Sequence, residues 1–234
     1  MAKRTGLLAL VMIALVFFPV QGFSEDFNFV SRTQVDLPIL LAPAPSNSSA
    51  QTQSEIAEII QIQKMRSPLE EATAVSDNEL SVFRLASDVL GPRFKPENLP
   101  LTAKFFQRLK SDLGQIVHAG KDCWNRPRPY ALSPEIKSCF GVVPEGSYPS
   151  GHSTFGFMSA VVLSGMVPEK KTEIFDRAAQ YGRSRMVCGV HYHSDIDAGR
   201  IAGTAAAAFA MQDPDFRKEF EGAKKEIRTT LGLE

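Results

Sequence analysis

The helical spacing of apolar residues constrains this chain more than any other feature of its sequence. From about Ser54 onward, apolar residues recur every three or four positions, in segments that proline and glycine separate. No stretch alternates apolar and polar residues in the way that is typical of a strand. A chain of 234 residues is long enough for one domain with a sizeable core. The sequence therefore predicts an all-α fold, a single-domain helical bundle, with helices from about 54 onward and then over 80–90, 100–120, 150–166, 171–187, 192–211 and 214–231.

The first 22 residues have the pattern of a secretory signal peptide. Lys3 and Arg4 precede an uncharged apolar run that ends at Pro19, and small or neutral residues follow. The run is shorter than the roughly 20 apolar residues that cross a bilayer, and an uncleaved membrane anchor is the alternative. We therefore expect a periplasmic or secreted protein with three parts: a signal peptide (1–22), an extended N-terminal arm (23–55) and a helical domain (56–234).

Charge and cysteine content narrow the partners that we expect. The chain has 26 basic and 26 acidic residues, so it has no general attraction to nucleic acid. No stretch after the signal peptide is long and apolar enough to span a membrane, so we expect no membrane association after cleavage. The chain has three cysteines, Cys123, Cys139 and Cys188. In an oxidising compartment an odd number leaves one thiol without a partner.

The segment that ends in Ser150-Gly151-His152 predicts the start of a buried helix. Ser150 is a suitable N-cap, and the first backbone N–H groups of a helix have no partner within it. Such a helix end attracts anions, and Gly151 allows the backbone to approach one closely. His152, in the first turn, would then lie beside the bound group. An ordinary capped helix with a surface histidine is the alternative for this segment taken alone.

A second segment contains Arg185, His191 and Asp195. Arg185 lies at the end of one predicted helix and His191 at the start of the next. Asp195 follows His191 by four positions and can accept its Nδ1 proton, which leaves Nε2 with a lone pair for nucleophilic or basic chemistry. A surface His–Asp pair is the alternative. His193 points elsewhere on the helix, and we interpret it as a rim or surface residue.

Basic residues before the first of these histidines complete the candidate site. Lys121 is followed by two Arg-Pro pairs, Arg126-Pro127 and Arg128-Pro129. A guanidinium matches the oxygens of a phosphate in two-point contacts, and lysine adds a compact positive charge. Spacing alone does not choose between the two arginines, and a solvated basic loop is the alternative for both.

Together the three segments resemble the signature of the type 2 phosphatidic acid phosphatase and vanadium haloperoxidase superfamily. That signature reads Lys-x6-Arg-Pro, then Pro-Ser-Gly-His, then Ser-Arg-x5-His-x3-Asp, and this chain fills every position. The match selects Arg128 over Arg126. More narrowly, the residues around both histidines and the Leu-Ala-Pro-Ala-Pro stretch at 41–45 resemble the secreted bacterial class A non-specific acid phosphatases. By this resemblance, 56–234 would be an all-helical acid phosphatase domain.

The resemblance also implies a mechanism. His191 would attack phosphorus and form a phosphohistidine, His152 would protonate the leaving alcohol and then activate water, and Asp195 would orient His191. The residues implied to hold the phosphoryl oxygens are Lys121, Arg128, Ser150, Gly151 and Arg185. Neither a cofactor nor a metal ion is implied. The expected substrates are small phosphate monoesters over a broad range, at acidic pH, with phosphotransfer to an alcohol as a side activity.

The resemblance further implies a disulfide between Cys139 and Cys188, with Cys123–Cys139 as the alternative pairing. It leaves a homo-oligomer open. Two other functions compete with the phosphatase. A vanadate-dependent haloperoxidase would use a similar oxyanion pocket but is typically much larger. A non-catalytic exported phosphate-binding protein would need the cations but not both histidines and Asp195.

Overall fold

The protein folds into helices, as the sequence predicts. We describe a computed structural model over residues 27–233; the predicted signal peptide lies outside these residues. The helices are α1 (Leu37–Leu40), α2 (Ala50–Met65), α3 (Pro68–Ser76), α4 (Val82–Leu90), α5 (Pro100–Trp124), α6 (Pro129–Leu132), α7 (Gly151–Met166), α8 (Lys171–Val187), α9 (His193–Ala210) and α10 (Pro214–Leu231). Short 3-10 turns precede α5 and α8, and the described residues contain no strand. The all-α prediction is confirmed. Within this part of the chain, none of the helices combines the length and apolar character needed to cross a membrane.

Local sequence explains where most helices begin. The N-cap side chains Ser49, Ser67 and Asp213 each accept a backbone N–H from the first turn of α2, α3 and α10. Proline occupies the first turn of α3, α5 and α10, where its missing N–H costs nothing. The prediction for α2 was wrong by about one turn, because the Ser49 cap starts the helix at Ala50 rather than near Ser54.

Two further differences concern α3 and α5. The sequence analysis did not predict α3, although a serine cap, a proline and two acidic residues mark its first turn. Helix α5 continues past Gly120, where its end was predicted, to Trp124, and Asn125 then takes a left-handed conformation (φ 40°). The added turn places Lys121 on the helix rather than in a loop.

Helix α7 forms the centre of the bundle. Most of its side chains are buried, which is expected of a helix that other helices surround. It packs against α9, α8 and α5. The contact with α9 is especially close at Gly199 and Gly203. A Cβ at Gly199 would lie 2.6 Å from the carbonyl oxygen of Ser150, and one at Gly203 would overlap the carbonyl oxygen of Thr154.

The N-terminal segment lies against α5. The buried carboxylate of Asp112 accepts backbone N–H groups from Asn28, Phe29 and Val30 at 2.8–3.2 Å. Leu37 and Leu41 of this segment are both buried in the main core. The C-terminal half of α5 and the start of α7 lie next to each other, with Val117 near Gly151. These two elements carry the predicted site residues Lys121, Gly151 and His152.

The close approach of α7 and α9 gives a test of the packing. Gly203→Ala should lower the free energy of unfolding by about 1–3 kcal/mol, because a methyl group there must displace backbone atoms of α7. The matched control is Gly222→Ala in α10, where no atom lies within 4 Å of a new Cβ. That variant should be neutral or gain up to about 1 kcal/mol from helix propensity. Chemical denaturation measures both, and equal effects would contradict the packing described here.

Candidate active site

The predicted site residues meet around one cavity of about 340 Å³. Its wall contains six of the eight residues predicted to act in catalysis or oxyanion binding: Lys121, Arg128, Gly151, His152, Arg185 and His191. Asp195 and Ser150 lie behind the wall and are fully buried. A larger groove of about 590 Å³, between α3, α4 and α8, contains none of the eight. We take the smaller cavity as the candidate active site because six of the predicted residues line it and none of them lines the larger groove.

His191 is held between a carboxylate and a guanidinium. Its Nδ1 lies 3.2 Å from Oδ2 of Asp195, and its Nε2 lies 3.2 Å from Nη1 of Arg128. Since a guanidinium can only donate, Nε2 must be the acceptor and Nδ1 must carry the proton. His191 was expected at the start of a helix but lies just before α9, so the pair does not share a helix face. Instead Asp195 reaches back from the first turn, where it also accepts the N–H of Tyr192 at 2.9 Å.

Burial and neighbouring cations set the protonation of this pair. Burial lowers the pKa of His191 well below its ordinary value, and the charges of Arg128 and Lys121 lower it further. Burial raises the pKa of Asp195, whereas the neighbouring Arg126 lowers it. A neutral imidazole with a lone pair on Nε2 is the form that a nucleophile requires, and here Arg128 donates to that lone pair.

Two of the cations are oriented by backbone carbonyls. Nζ of Lys121 donates to the carbonyl of Gly146 at 2.7 Å, and Glu145 lies 3.5 Å away. Arg128 donates to the carbonyls of Glu145 and Val190 at 3.0 and 2.8 Å. Burial, followed by the charge of Arg128, lowers the pKa of Lys121 to about 8. Both side chains are nearly buried, so their positive charges act in a poorly solvated space.

Arg185 has unused hydrogen-bonding capacity inside the cavity. Its Nη2 donates to Oδ1 of Asn78 at 3.2 Å, and its guanidinium lies over the ring of Phe140 at 4.9 Å. Its Nε and Nη1 are buried and have no hydrogen-bond partner. Burial lowers its pKa to about 10. Because buried donors are nearly always paired, these two unpaired nitrogens make Arg185 a candidate for contact with an oxyanion in the cavity that it lines.

The N-terminus of α7 closes another side of the cavity. Ser150 is the N-cap, as predicted: its side chain accepts the N–H of Ser153, and its own N–H donates to the carbonyl of Asp195 at 2.9 Å. Gly151 lines the cavity, and its N–H and that of His152 have no acceptor within the helix. The structure therefore brings Gly151 to the cavity and leaves Ser150 in a capping position behind it.

His152 faces His191 across the cavity. Its Nε2 lies 3.1 Å from the carbonyl oxygen of Asn78, and its ring lies 5.6 Å from that of Tyr181. Burial, followed by the charge of Arg185, lowers its pKa well below the ordinary value. Asn78 thus contacts both His152 and Arg185. Asn78 was not predicted from the sequence, and no local pattern identifies it, since only the turn after α3 brings it to the cavity.

The second arginine of the Arg-Pro pairs also has a defined place. Arg126 does not line the cavity but lies behind it, with Nη1 at 2.6 Å from Oδ1 of Asp195. Its Nη2 donates to Oε2 of Glu55 at 2.9 Å. His193, predicted to be a rim or surface residue, is about half exposed and lies near Glu58. Glu55 was missed, because a glutamate in a helix gives no sign that tertiary packing will bury it.

The predicted disulfide is not formed in the structure. Cys123, Cys139 and Cys188 are all free thiols. Cys139 and Cys188 are nevertheless neighbours: the N–H of Cys139 donates to the carbonyl of Cys188 at 3.2 Å. Burial, and then the contact with Cys139, raises the pKa of the Cys188 thiol. The Cys139–Cys188 pairing therefore stays a prediction.

Comparison with known proteins points to one family. The PAP2 superfamily profile matches residues 112–219. An acid phosphatase of Zymomonas mobilis is 32% identical over 212 residues, which cover 87% of this chain and 78% of that protein. A non-specific acid phosphatase of Providencia stuartii is 30% identical over 211 residues, covering 86% and 85%. A non-specific acid phosphatase of Salmonella typhimurium is 33% identical over 170 residues, covering 68% and 67%.

Two solved structures have a similar fold. A transmembrane PAP2-type phosphatidylglycerolphosphate phosphatase from Bacillus subtilis superposes with a TM-score of 0.53 at 18% identity, covering 78% of this chain and 94% of that one. A bacterial vanadium-dependent iodoperoxidase superposes with a TM-score of 0.57 at 18% identity, covering 77% of this chain and 53% of that one. At this identity the two structures show the fold alone.

The unpaired donors of Arg185 predict how the cavity binds an oxyanion. Arg185→Gln should weaken the binding of inorganic phosphate by at least about tenfold, the size expected for lost hydrogen bonds to a charged group. Arg183→Gln is the control, because Arg183 lies on the same helix but is half exposed and pairs with Glu70 at 3.3 Å. Calorimetric titration with phosphate measures both. Equal affinities in the two variants would contradict an oxyanion site at Arg185.

Proposed function

The chain belongs to the PAP2 superfamily, and from this premise we propose that it is an exported acid phosphatase that hydrolyses phosphate monoesters through a phosphohistidine. Its similarity to acid phosphatases over most of its length supports phosphatase activity. The observation that carries the finer proposal is the orientation of His191. Asp195 holds its Nδ1 proton, and its Nε2 lone pair faces a cavity lined by Lys121, Arg128 and Arg185.

In the first step Nε2 of His191 attacks phosphorus. A bond forms between nitrogen and phosphorus as the bond from phosphorus to the ester oxygen breaks. The leaving alkoxide takes a proton from His152 and departs as the alcohol. Lys121, Arg128, Arg185 and the N–H groups at the start of α7 stabilise the charge on the phosphoryl oxygens. The imidazolium formed at His191 keeps its Nδ1 proton in the hydrogen bond to Asp195.

In the second step water replaces the enzyme nitrogen on phosphorus. His152, now neutral, takes the proton of the attacking water, and the bond between nitrogen and phosphorus breaks. Inorganic phosphate leaves, His191 recovers its lone pair, and His152 is again protonated. An alcohol in place of water would receive the phosphoryl group, which accounts for the proposed phosphotransferase side activity. Both steps use positioned charges and one proton shuttle, the main contributions that phosphoryl transfer needs.

The other expected properties of the protein are proposals of the same kind. We propose broad specificity for small monoesters, activity that requires no metal ion or cofactor, export through a signal peptide over 1–22, and the Cys139–Cys188 pairing. The arm and domain division at 56 and a homo-oligomer are likewise proposals. A vanadate-dependent haloperoxidase is the second candidate, supported by the fold of the iodoperoxidase. The similarity to acid phosphatases over most of the chain favours hydrolysis. A phosphate-binding protein would have no use for the contact between His191 and Asp195.

Replacement of the proposed nucleophile tests the mechanism. His191→Ala should abolish release of nitrophenol from nitrophenyl phosphate, because it removes the Nε2 lone pair that is proposed to attack phosphorus. Rapid acid-free quenching of the wild type with labelled substrate should trap a phosphoryl group on His191 that is stable in base and labile in acid. A chelator should leave the wild-type rate unchanged.

The control for this experiment is His193→Ala, which removes a half-exposed histidine outside the cavity and should leave turnover close to that of the wild type. Substantial turnover by a folded His191→Ala protein would contradict the assigned nucleophile. Loss of activity on chelation would contradict the metal-independent mechanism. Oxidation of bromide or iodide in the presence of vanadate and peroxide would favour the haloperoxidase instead.

The lowered pKa values of the two histidines predict an acidic pH optimum. His152 must carry a proton in the first step, and its pKa lies well below the ordinary value, so activity falls as pH rises through that pKa. His191 must be neutral, and its pKa is lowered as well, so activity persists to acidic pH before protonation removes the nucleophile. A profile of kcat/KM against pH should peak below neutrality. A maximum above neutrality would contradict the role given to His152.

A further inference from the structure

We propose that Arg126 is a positioning residue for the nucleophile, clamped between Asp195 and Glu55 so that Asp195 keeps the orientation that accepts the Nδ1 proton of His191. The inference rests on the proposed function and extends it to two residues outside the cavity and outside the signature. Arg126 and Glu55 form a layer behind Asp195, which itself lies behind His191. The role is therefore one of support and charge balance, with no contact to substrate.

The geometry of Asp195 leaves it little freedom. Its Oδ1 accepts Nη1 of Arg126 at 2.6 Å. Its Oδ2 accepts both the N–H of Tyr192 at 2.9 Å and the Nδ1 proton of His191 at 3.2 Å. The Arg126 contact is the shortest of the three and the only one from a charged donor with a fixed fork. A carboxylate bound on both oxygens cannot rotate away from the imidazole, so Arg126 fixes the direction of the oxygen that His191 uses.

Arg126 is itself held on several sides. Nη2 donates to Oε2 of Glu55 at 2.9 Å, and Nη1 also donates to Oγ of Ser194 at 2.7 Å. Its guanidinium lies over the ring of Tyr192, 3.8 Å from the ring centre. Glu55 adds a second link, because its Oε1 accepts the N–H of Ser194 at 2.8 Å. The clamp therefore joins α2 to the start of α9, next to His191.

The charges of the clamp explain why both outer residues are needed. The side chains of Arg126 and Asp195 are 2% and 0% exposed, so their charges are poorly screened. Arg126 alone would neutralise Asp195, and the imidazolium formed at His191 would then lack a counter-charge. Glu55 returns one negative charge to the group. Two carboxylates and one guanidinium leave a net charge of about −1 to balance the phosphorylated imidazolium.

The titration of this group depends on all the charged and polar side chains around it. The pKa of Asp195 is raised by burial and lowered by Arg126, with smaller effects from Tyr192 and Ser147. The titratable and charged groups that face Asp195 or His191 are Arg126, Arg128 and Tyr148 from the loops around α6, Glu55 from α2, Lys121 from α5, His152 from α7, Arg185 from α8, and Tyr192. Loss of the positive charge of Arg126 should raise the pKa of Asp195 and of His191, whereas loss of the negative charge of Glu55 should lower both.

The test compares profiles of kcat against pH for the wild type, Arg126→Gln, Arg126→Lys and Glu55→Gln on nitrophenyl phosphate. The acidic limb, where activity falls with falling pH, should move to higher pH by about one unit in Arg126→Gln. It should move to lower pH in Glu55→Gln. Arg126→Lys keeps the charge without the fork, so its limb should stay near that of the wild type with an intermediate kcat.

The split between kcat and binding provides a second readout. Arg126→Gln should lower kcat by at least about tenfold, the size expected when a hydrogen bond to a charged group is lost. The inhibition constant of inorganic phosphate should be little changed, because neither Arg126 nor Glu55 lines the cavity. Arg108→Gln is the control: it breaks a half-buried ion pair with Glu219 far from the site, and should change the unfolding midpoint without moving the acidic limb.

The outcomes separate this inference from the function on which it rests. A wild type that does not hydrolyse the ester overturns the proposed function. If the wild type is active, the clamp is overturned when the acidic limbs of Arg126→Gln and Glu55→Gln both move in the same direction from that of the wild type. It is also overturned when neither limb moves. Loss of phosphate binding together with kcat also overturns it, since that would place Arg126 in the binding site. If Arg126→Gln does not fold, the other two variants still decide. Glu55→Gln must move the acidic limb to lower pH, and Arg126→Lys must leave the limb at the pH of the wild type.

Discussion

The site depends on how closely α7 approaches α9. Glycine at 199 and 203 lets the backbone of α9 lie against that of α7, and the N–H of Ser150 then reaches the carbonyl of Asp195. This bond and the one from the hydroxyl of Ser153 to the carbonyl of Ile196 at 2.7 Å join the start of α7, which carries His152, to the start of α9, which His191 precedes. The imidazole at the start of α7 and the one just before α9 thereby line the same cavity. Any side chain at the glycine positions would move the helices apart and the two histidines with them.

The cationic wall of the cavity is supported from behind by two buried carboxylates. Asp195, backed by Arg126, holds the side that contains His191. Asp77 holds the opposite side: it binds Arg177 at 2.6 Å and the hydroxyl of Ser184 at 2.7 Å, next to Arg185 in α8. Each carboxylate lies one layer behind a residue that faces the cavity. Cations that converge on one cavity repel one another, and Asp195 offsets part of that repulsion at Lys121 and Arg128. Asp77 acts less directly, because it is shared by Arg177 and Arg84.

The sequence predicted those helices that have strong local start and stop signals. It also predicted those cavity residues that belong to the signature. The bounds of α8 and α10 followed from proline, glycine and an aspartate cap. The signature grouped Lys121, Arg128 and Arg185, and all three line the cavity. Asn78 and Glu55 could not be found in this way. Their roles depend on which distant element they meet, and a turn asparagine or a helical glutamate looks the same whether it is buried or solvated. Ser150 is the opposite case, because the signature includes it but the structure does not place it on the cavity wall. It caps α7 from behind that wall.

The cavity combines two kinds of lining, and this bears on substrate choice. Beside the cationic residues of the signature, its wall contains apolar side chains, among them Leu80, Leu113, Phe140 and Val143. Lys110, His118 and Glu145 also line it. Apolar contacts discriminate between ligands by only about 1–3 kcal/mol per group, whereas a buried polar group rejects a mismatched partner far more strongly. The apolar part of the lining therefore supports the proposed broad specificity for the alcohol. The cationic part supports the proposed selection of the phosphoryl group.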